Sequence, residues 1–171
     1  MRGKFWLVAA IVAAVAELAA APPAAQARGD VVPVKEAYAR GTIIVKTQER
    51  QLYLMIGAGE AIRYPVGVGR AGMQWSGTSQ ISAKYVSPAW APPPDIRREN
   101  PALPPMIPGG SPHNPMGAAA MTLAGTDYAI HGTNQPQLIG HFVSHGCIRM
   151  LNADVTDLFG RVAVGTPVVV Q

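Results

Sequence analysis

Cys147 is the only cysteine of this 171-residue chain, and two histidines lie close to it in the sequence. His145 precedes it by two positions, and His131 lies sixteen positions upstream. A free cysteine has a pKa of about 8.5 and is mostly protonated near neutral pH, so a thiol nucleophile needs a nearby imidazole to accept its proton. These residue types at this spacing therefore predict a cysteine nucleophile that a histidine activates.

The residues alone leave two other interpretations open. Cys147 could be a buried small apolar side chain, and His131 could be a hydrogen-bonded strand residue ahead of a Gly-Thr turn. Four side chains could also ligate zinc, namely His131, His141, His145 and Cys147. Their spacing lacks the paired blocks of structural zinc sites, and the sequence therefore disfavours a metal centre.

The first 27 residues have the order of a secretory signal peptide. Arg2 and Lys4 form a basic start, residues 5–16 form a short apolar core, and residues 25–27 read Ala-Gln-Ala, a typical cleavage site. Glu17 ends the apolar run well before the roughly 20 residues of a membrane helix, although an uncleaved anchor remains the alternative. A single cysteine in an exported protein cannot close an internal disulfide, which leaves a reactive thiol or an intermolecular bond as explanations.

Short runs of β-branched and aromatic residues dominate the rest of the chain. Residues 42–46 and 51–56 flank a polar turn and predict a β-hairpin. Residues 61–68 predict a third strand, in which Pro65 indicates an edge position or a strand start. Further strands are predicted at residues 118–123, 128–131, 162–164 and 168–170.

Two segments interrupt this pattern of strands. Residues 152–160 predict one short helix that begins at an asparagine N-cap and buries Val155, Leu158 and Phe159 on one face. Residues 87–117 hold ten of the sixteen prolines, a composition that excludes a regular helix or a central strand. This segment is either a disordered linker or an ordered active-site loop, and its packing residues favour the loop. The whole pattern predicts a mainly-β sandwich or barrel.

One block of the sequence resembles a known family. Residues 131–158, which read HGTNQPQLIGHFVSHGCIRMLNADVTDL, resemble the L,D-transpeptidase catalytic domain, also called the YkuD-like domain. The HGT and SHGCIR motifs carry the resemblance, and upstream segments at 44–54, 64–66 and 87–94 agree with it. As a pair, these two motifs are far more specific than an isolated cysteine and histidine.

The resemblance also implies a domain organisation and a fold. Residues 1–27 are predicted to be the signal peptide, 28–40 a lead-in, and 41–171 the catalytic domain. The implied fold is a YkuD-like, mainly-β sandwich or barrel with one or two short helices and a long Pro-rich active-site loop.

The resemblance implies the catalytic roles residue by residue. Cys147 is the nucleophile, His131 is its general base, and the backbone carbonyl of Gly132 holds the imidazole through its other nitrogen. The backbone N–H groups of His145, Gly146 and Cys147 are the implied oxyanion hole. Gly146 suits that place because a residue without Cβ lets the backbone approach a substrate closely.

Three further residues are candidates for substrate binding: Ser144, His145 and Arg149. Ser144 has a structural role as its alternative. His145 could tune the thiolate, contact the substrate or brace the loop. Arg149 could bind a substrate carboxylate or pair with Asp154 or Asp157.

The implied function is that of a periplasmic peptidoglycan L,D-transpeptidase that needs no metal or organic cofactor. In the family, the cysteine takes an acyl group from the bond between diaminopimelate and D-alanine of a tetrapeptide stem. An amine of another stem then accepts it, which gives a 3→3 cross-link. Water as acceptor makes an L,D-carboxypeptidase, a lipoprotein lysine gives attachment to the wall, and an inactive wall-binding β module is the non-enzyme alternative.

Partners follow from the same resemblance and from the charge. Peptidoglycan stem peptides are the expected donor and acceptor, carbapenem β-lactams are the expected inhibitors, and the protein is expected to be a monomer. The formal net charge is only +4, and the chain has no Lys/Arg run, which argues against nucleic acid as a partner.

Overall fold

The computed structural model describes residues 29–35, 37–57 and 59–171, so the predicted signal peptide lies outside the described residues. Within these ranges, no helix is long and apolar enough to cross a membrane. The elements are β1 (Asp30–Pro33), β2 (Ile43–Lys46), β3 (Gln51–Gly57), β4 (Glu60–Gly69), β5 (Gly77–Val86), α1 (Pro94–Glu99), β6 (Ala119–Leu123), β7 (Ala129–His131), β8 (Phe142–Ser144), β9 (Ile148–Met150), α2 (Asn152–Arg161) and β10 (Pro167–Val170).

The strands of the described chain close into a barrel. Hydrogen-bonded neighbours follow the order β4-β3-β2-β10-β5-β6-β7-β9, and β9 pairs back with β4 through Val66↔Met150 and Gly67↔Arg149. β1 and β8 add to β4 beside this ring. The predicted mainly-β sandwich or barrel with few short helices is confirmed.

Pro65 lies inside β4, so the prediction of an edge position or strand start was wrong. On one side of β4, Gln51 of β3 pairs with Pro65. On the other side, β1 ends its pairing at Arg63 and β9 begins at Val66. The missing N–H of proline falls in the gap between these two partners, where the ladder needs no donor.

The barrel encloses one main apolar core. Its largest fully buried side chains are Tyr64, Ile43, Leu52, Ile81, Met121, Leu123, Ile130, Ile148, Met150, Leu158 and Val45. Full burial of each such aliphatic side chain stabilises the fold by about 1.5–3 kcal/mol. α2 closes onto the core with Val155 and Leu158, as its apolar face predicted.

Lys84 of β5 fixes the end of α2. Its Nζ donates to the carbonyls of Phe159 (2.7 Å) and Val162 (2.5 Å), and it lies 4.2 Å from the Phe159 ring centroid. A cation is favoured at a helix C-terminus because the last carbonyls there have no intrahelical partner. Residues 162–164 therefore form the exit of the helix, and the predicted strand there was wrong.

α1 lies within the Pro-rich segment, so the prediction that this segment excludes a helix was wrong. Pro93 is the N-cap and Pro94 the first helical residue, where proline costs no hydrogen bond. The next five residues contain no proline, which allows the helical turn to form. α1 buries no residue, so its position depends on the contacts of its termini.

The rest of the Pro-rich segment packs as an ordered loop around Asn114, which is only 1% exposed. The Asn114 side chain donates to the carbonyls of Pro88 (2.8 Å) and Pro108 (3.0 Å) and accepts from the Met116 N–H (2.9 Å). Trp90 and Ile107 form a two-residue β-bridge beside it. One buried side-chain amide thus joins the two ends of the segment. Backbone hydrogen bonds of a β-ladder could not do so, because proline has no N–H to donate.

Candidate active site

The parallel neighbours β7 and β9 bring the predicted residues together. Their register pairs Ile130 with Ile148 and His131 with Arg149. Side chains alternate along a strand, and the two isoleucines point into the core, so His131 and Arg149 lie on the opposite face. Cys147 precedes β9 and is two residues from Arg149, which makes it the diagonal neighbour of His131.

His131 is buried and held by a backbone carbonyl. It is 4% exposed, and its Nδ1 lies 2.7 Å from the carbonyl oxygen of Gly132. A carbonyl only accepts, so Nδ1 carries the proton and Nε2 is left with its lone pair. Burial and, after it, the charge of Arg149 lower the pKa of His131 to about 4, although the carbonyls of Gly132 and Pro115 act in the opposite direction. The imidazole is therefore neutral at pH 7.

The thiol of Cys147 is protonated in the same environment. Burial raises its pKa, while the Ala129 N–H and the Arg149 guanidinium lower it in part. Arg149 itself is half-buried, and burial lowers its pKa. The site at rest thus combines a neutral thiol, a neutral imidazole and one cation.

Arg149 does not pair with either of the two aspartates considered from the sequence. Asp157 binds Arg161 (2.9 Å) and the hydroxyl of Tyr64 (2.6 Å). Both carboxylate oxygens of Asp154 are buried without a hydrogen-bond partner in the described chain, as is Nε of Arg149. The binding of a substrate carboxylate by Arg149, the other predicted role, stays a prediction.

Ser144 makes two hydrogen bonds within the thiol loop. It is fully buried, its hydroxyl donates to the Cys147 carbonyl (2.6 Å), and the same oxygen accepts from the Gly146 N–H (3.1 Å). These contacts favour the structural role of Ser144, and its substrate contact stays a prediction. The Gly146 N–H is also engaged, which narrows the predicted oxyanion donors to the N–H groups of His145 and Cys147.

Gly146 is required by its neighbours. Its φ is +120°, a region that L side chains rarely adopt, and a Cβ there would clash with the Tyr128 ring. Trp75 stacks on that ring with centroids 5.4 Å apart and donates its indole N–H to the Gly146 carbonyl (2.9 Å). Two aromatic side chains therefore fix the backbone that carries the thiol.

Asn152 positions the loop that follows His131. Its Oδ1 accepts the N–H groups of Ala118 and Thr133 (both 3.0 Å), and its Nδ2 donates to the Thr133 carbonyl (2.9 Å). The predicted N-cap role was wrong, since Leu151 is the N-cap and makes no side-chain capping bond. The Asn side chain instead anchors the backbone next to Gly132, whose carbonyl holds the imidazole.

A cavity of about 610 Å³ opens over Cys147 and His145. Residues 93–96 of the Pro-rich segment line it together with Met73, Asp127 and Tyr128. The predicted active-site loop thus adjoins the thiol, with two carboxylates, Asp95 and Asp127, among the lining side chains. A cavity of this size holds a peptide-sized ligand.

Glu99 joins α1 to the thiol loop, and sequence reasoning missed it. Its Oε1 lies 2.6 Å from Arg70 Nη2, and its Oε2 lies 2.9 Å from His145 Nε2. Hydrogen bonds from Arg70 and then from His145 lower the pKa of Glu99, so the carboxylate is ionised. Glu99 precedes His145 by 46 positions, and no motif spacing relates the two.

His141, the remaining histidine of the possible zinc ligands, is exposed. In residues 29–35, 37–57 and 59–171, no group of three or more His, Cys, Asp or Glu side chains is arranged to hold a metal ion. The zinc interpretation of His131, His141, His145 and Cys147 therefore finds no support in the geometry.

Comparisons with known proteins identify a family that the chain resembles. A family model described as the L,D-transpeptidase catalytic domain, YkuD, matches residues 40–170. The Escherichia coli protein named probable L,D-transpeptidase ErfK/SrfK is 41% identical over 138 residues, which are 75% of this chain and 43% of that protein. A second Escherichia coli protein, probable L,D-transpeptidase YbiS, is 39% identical over 136 residues with the same coverage. The chain thus spans less than half the length of these curated relatives.

A solved structure shares the fold. The catalytic domain of the E. faecium L,D-transpeptidase, determined in a form acylated by ertapenem, superposes with a TM-score of 0.57 at 21% identity. The match covers 76% of this chain and 95% of that domain.

Proposed function

The chain belongs to the L,D-transpeptidase catalytic domain family, and from this membership we propose that it acts as a peptidoglycan L,D-transpeptidase. The proposed donor is a tetrapeptide stem, cleaved between diaminopimelate and the terminal D-alanine. The proposed acceptor is an amine of a second stem, so that the product is a 3→3 cross-link. One observation carries the proposal: a carbonyl-held imidazole lies diagonal to the single thiol, which opens on the cavity of about 610 Å³.

In the first half-reaction, Cys147 is the nucleophile and His131 the general base. His131 is neutral at pH 7, because its pKa is about 4, and its Nε2 can therefore take the thiol proton. The sulfur attacks the amide carbon, the C–N bond breaks, and the proton passes from His131 to the leaving amine of D-alanine. The Gly132 carbonyl orients the imidazole, as a carboxylate does in a serine triad.

Backbone and cationic groups stabilise the charges that develop. The oxyanion of the tetrahedral intermediate is assigned to the N–H groups of His145 and Cys147. Loss of one such donor typically costs about 10²–10³ in rate. Arg149 is assigned to a substrate carboxylate, and its charge also favours the thiolate.

The same acyl-enzyme serves the alternative functions. Water as acceptor gives an L,D-carboxypeptidase, and a lipoprotein lysine gives attachment to peptidoglycan. The wall-binding module without activity is disfavoured, because both a thiol and a poised base are present. The reaction is assigned to the periplasm on the basis of the N-terminal sequence, and a mature chain that begins at Arg28 in envelope material would support export. A mature chain that retains residues 5–16 would indicate an anchored enzyme.

The test uses the thiol directly. Incubation with disaccharide-tetrapeptide and mass spectrometry should give a cross-linked dimer, whereas a tripeptide product would indicate the carboxypeptidase. Exposure to a carbapenem should raise the intact mass by one adduct, and Cys147→Ser should remove it, because a hydroxyl is far less acidic than a thiol. A folded wild-type protein that forms neither an adduct nor a product would contradict the proposed function.

A further inference from the structure

A small polar pocket lies beside the active site, outside the residues that the proposed reaction uses. Its volume is about 250 Å³. The side chains that line it are all uncharged: Thr47, Gln48, Gln74, Trp75, Ser76 and Gln171. The first two belong to the turn between β2 and β3, and the next three belong to the loop between β4 and β5. The pocket is named the Trp75 pocket after its aromatic residue.

The loop between β4 and β5 borders both this pocket and the catalytic cavity. Met73 lines the cavity together with Cys147, whereas its neighbours Gln74 and Trp75 line the Trp75 pocket. The Trp75 indole also donates to the Gly146 carbonyl (2.9 Å), so one ring joins the pocket to the residue before Cys147. An extended chain spans about 3.3–3.6 Å per residue, and a substrate bound at the thiol therefore needs only a few residues to reach the pocket.

The lining of the pocket suits a neutral, polar ring. Tyr128 covers one face of the Trp75 indole at a centroid distance of 5.4 Å, so the pocket meets the other face or the edge of that ring. The C–H face of a sugar packs on an aromatic surface of this kind, while its hydroxyl and acetamido groups need hydrogen-bond partners. An ionised ligand would find no opposite charge among the lining side chains.

Amide and hydroxyl groups of the pocket supply those hydrogen-bond partners. Gln48 Nε2 donates to Gln74 Oε1 (3.1 Å), which leaves the Gln48 side-chain carbonyl as an acceptor and the Gln74 amino group as a donor. Thr47 lines the pocket although it is only 6% exposed, and within the described residues its hydroxyl makes no hydrogen bond. A nearly buried hydroxyl without a partner is costly, so its place here favours a polar ligand that completes it.

A second polar cavity of about 250 Å³ borders Thr133, but it differs in two respects. No aromatic side chain is among its lining residues. The amides of Asn114 and Asn152, which line it, are engaged in hydrogen bonds to the backbone. It therefore offers a sugar neither a stacking surface nor these two amides.

We propose that the Trp75 pocket binds an N-acetylated sugar of the glycan strand to which a stem peptide is attached. The inference rests on the proposed function and adds a glycan subsite to the site for the stem peptide at Cys147. In the polymer, the sugar that carries the stem has its carboxyl group in the amide bond to the peptide, so the bound ring is neutral, as the uncharged lining requires. Donor and acceptor stems both carry such a sugar, and the experiment separates the two.

The experiment compares stems with and without the disaccharide in the variants Gln48→Ala, Gln74→Ala and Thr47→Val. In the donor arm, D-alanine release is measured from disaccharide-tetrapeptide and from the sugar-free tetrapeptide. In the acceptor arm, preformed acyl-enzyme is mixed with a stem that carries or lacks the disaccharide, and the product is followed by mass spectrometry. The matched control is Gln137→Ala, at an exposed glutamine outside the lining of both cavities.

The disaccharide should raise kcat/KM of the wild type by about ten-fold or more in one arm, and that arm identifies the stem whose glycan is bound. Each of the three pocket variants should reduce this advantage by about three- to ten-fold, the size expected for one lost hydrogen bond, chiefly through KM. Gln137→Ala should keep the full advantage. The loss in the pocket variants should be confined to stems that carry the disaccharide.

Binding of the sugar alone is measured independently of catalysis. Chitobiose, a neutral disaccharide of two N-acetylglucosamine units, is titrated into the folded protein while the Trp75 indole N–H resonance is followed by NMR. A saturable shift is expected, which Gln74→Ala should weaken and Gln137→Ala should not.

Three results would overturn the glycan subsite. These are the absence of a saturable shift, the absence of a disaccharide advantage in both arms, and equal losses in the pocket variants with and without sugar. If the folded wild type released no D-alanine from either donor, the proposed function would be contradicted instead, and the titration would still decide whether the pocket binds the sugar.

Discussion

The two histidines beside Cys147 differ in what holds them. His131 is buried and bound to the neutral carbonyl of Gly132, whereas His145 lies at the cavity and is bound to the ionised carboxylate of Glu99. Burial and the nearby charge of Arg149 keep the imidazole of His131 neutral, against the opposing effect of the carbonyl, so this ring can take one proton from a close donor. An ionised carboxylate only accepts hydrogen bonds, so Glu99 holds His145 by its Nε2–H and joins the thiol loop to α1. The two rings therefore differ in what they can do at the thiol.

The largest expected effect contrasts the two rings in acylation. His131→Ala should lower carbapenem acylation of Cys147 by about 10²–10⁴-fold, because the thiol loses its base and its raised pKa leaves little thiolate. His145→Ala should lower the same rate far less. Stopped-flow fluorescence or intact-mass kinetics measures both, and equal losses would break the distinction between the two histidines.

The pH dependence of wild-type acylation tests the same assignment. Burial lowers the pKa of His131 to about 4, and a protonated ring cannot accept the thiol proton. The acylation rate should therefore stay high as pH falls from 7 to 5 and decline as it passes through about 4. An acid limb near pH 6.5, the ordinary value of histidine, would mean that the base is not buried.

The next effect concerns the scaffold of the His131 side. Asn152→Ala removes three hydrogen bonds to Ala118 and Thr133, two of them part-buried, which should lower the free energy of unfolding by about 1–3 kcal/mol. Acylation should slow by about 10- to 100-fold, since displacement of the Gly132 carbonyl misplaces the imidazole. Urea unfolding and acylation kinetics measure the two effects. Asn134→Ala, at an exposed neighbouring position, is the control and should change neither.

The two sides of the site also differ in how far the sequence predicts them. The hairpin of β2 and β3, the face of α2 and the side of the site with His131, Gly132 and Cys147 follow from local patterns or from contiguous motifs. The role of Glu99 does not follow from such patterns. Its partners lie far away in the chain, and the prolines around α1 predict a loop where the structure has a short helix. Local periodicity gives no information on such long-range contacts.

Smaller errors have the same physical origin. Asn152 is a residue type that sequence rules favour as an N-cap, yet its side-chain amide binds the backbone of Ala118 and Thr133. These tertiary hydrogen bonds outweigh the local capping bond. Pro65 cannot donate to a β-ladder, but no donor is needed at its position. The pairing of β4 passes there from β1 to β9, and this gap exists only because the barrel is closed. β5 escaped prediction because Ile81 is its only fully buried residue, so it lacks a clear alternation.

A third buried titratable group sharpens the contrast between burial and charge. Burial raises the pKa of Asp154 to about 6, with the charges of Asp157 and Asp30 adding to it. In the unfolded chain the Asp154 carboxyl ionises near pH 4. The stability that the protonated carboxyl contributes is therefore fully present below pH 4 and is lost as the pH rises to about 6. Asp154→Asn should remove this loss and raise the free energy of unfolding at pH 7.5 by about 1–3 kcal/mol.

Urea unfolding at pH 4 and pH 7.5 checks the sign. Wild type and Asp154→Asn should be close in stability at pH 4 and diverge at pH 7.5. Asp157→Asn is the matched control, because that carboxylate binds Tyr64 and Arg161 and its loss should destabilise the fold at neutral pH. A less stable Asp154→Asn at pH 7.5 would show that the negative charge near the start of α2 outweighs the cost of its burial.

The smallest expected effect is that of salt, and it should act on one side of the thiol only. Arg70 and Glu99 form an ion pair in which the two side chains are 42% and 48% exposed, whereas His131 is shielded from solvent. The Debye length falls from about 30 Å at 0.01 M to about 3 Å at 1 M salt, so ions screen the exposed pair and not the buried ring. Because this pair joins α1 to the thiol loop, cross-link formation should slow by no more than about five-fold between these concentrations, in line with the weak energies of surface ion pairs, while acylation by a neutral donor changes less. In Glu99→Gln the ion pair is already absent, and the rate of cross-link formation should lose this salt dependence; an equal salt effect in the variant would assign the screening to Asp95 and Asp127, which line the cavity.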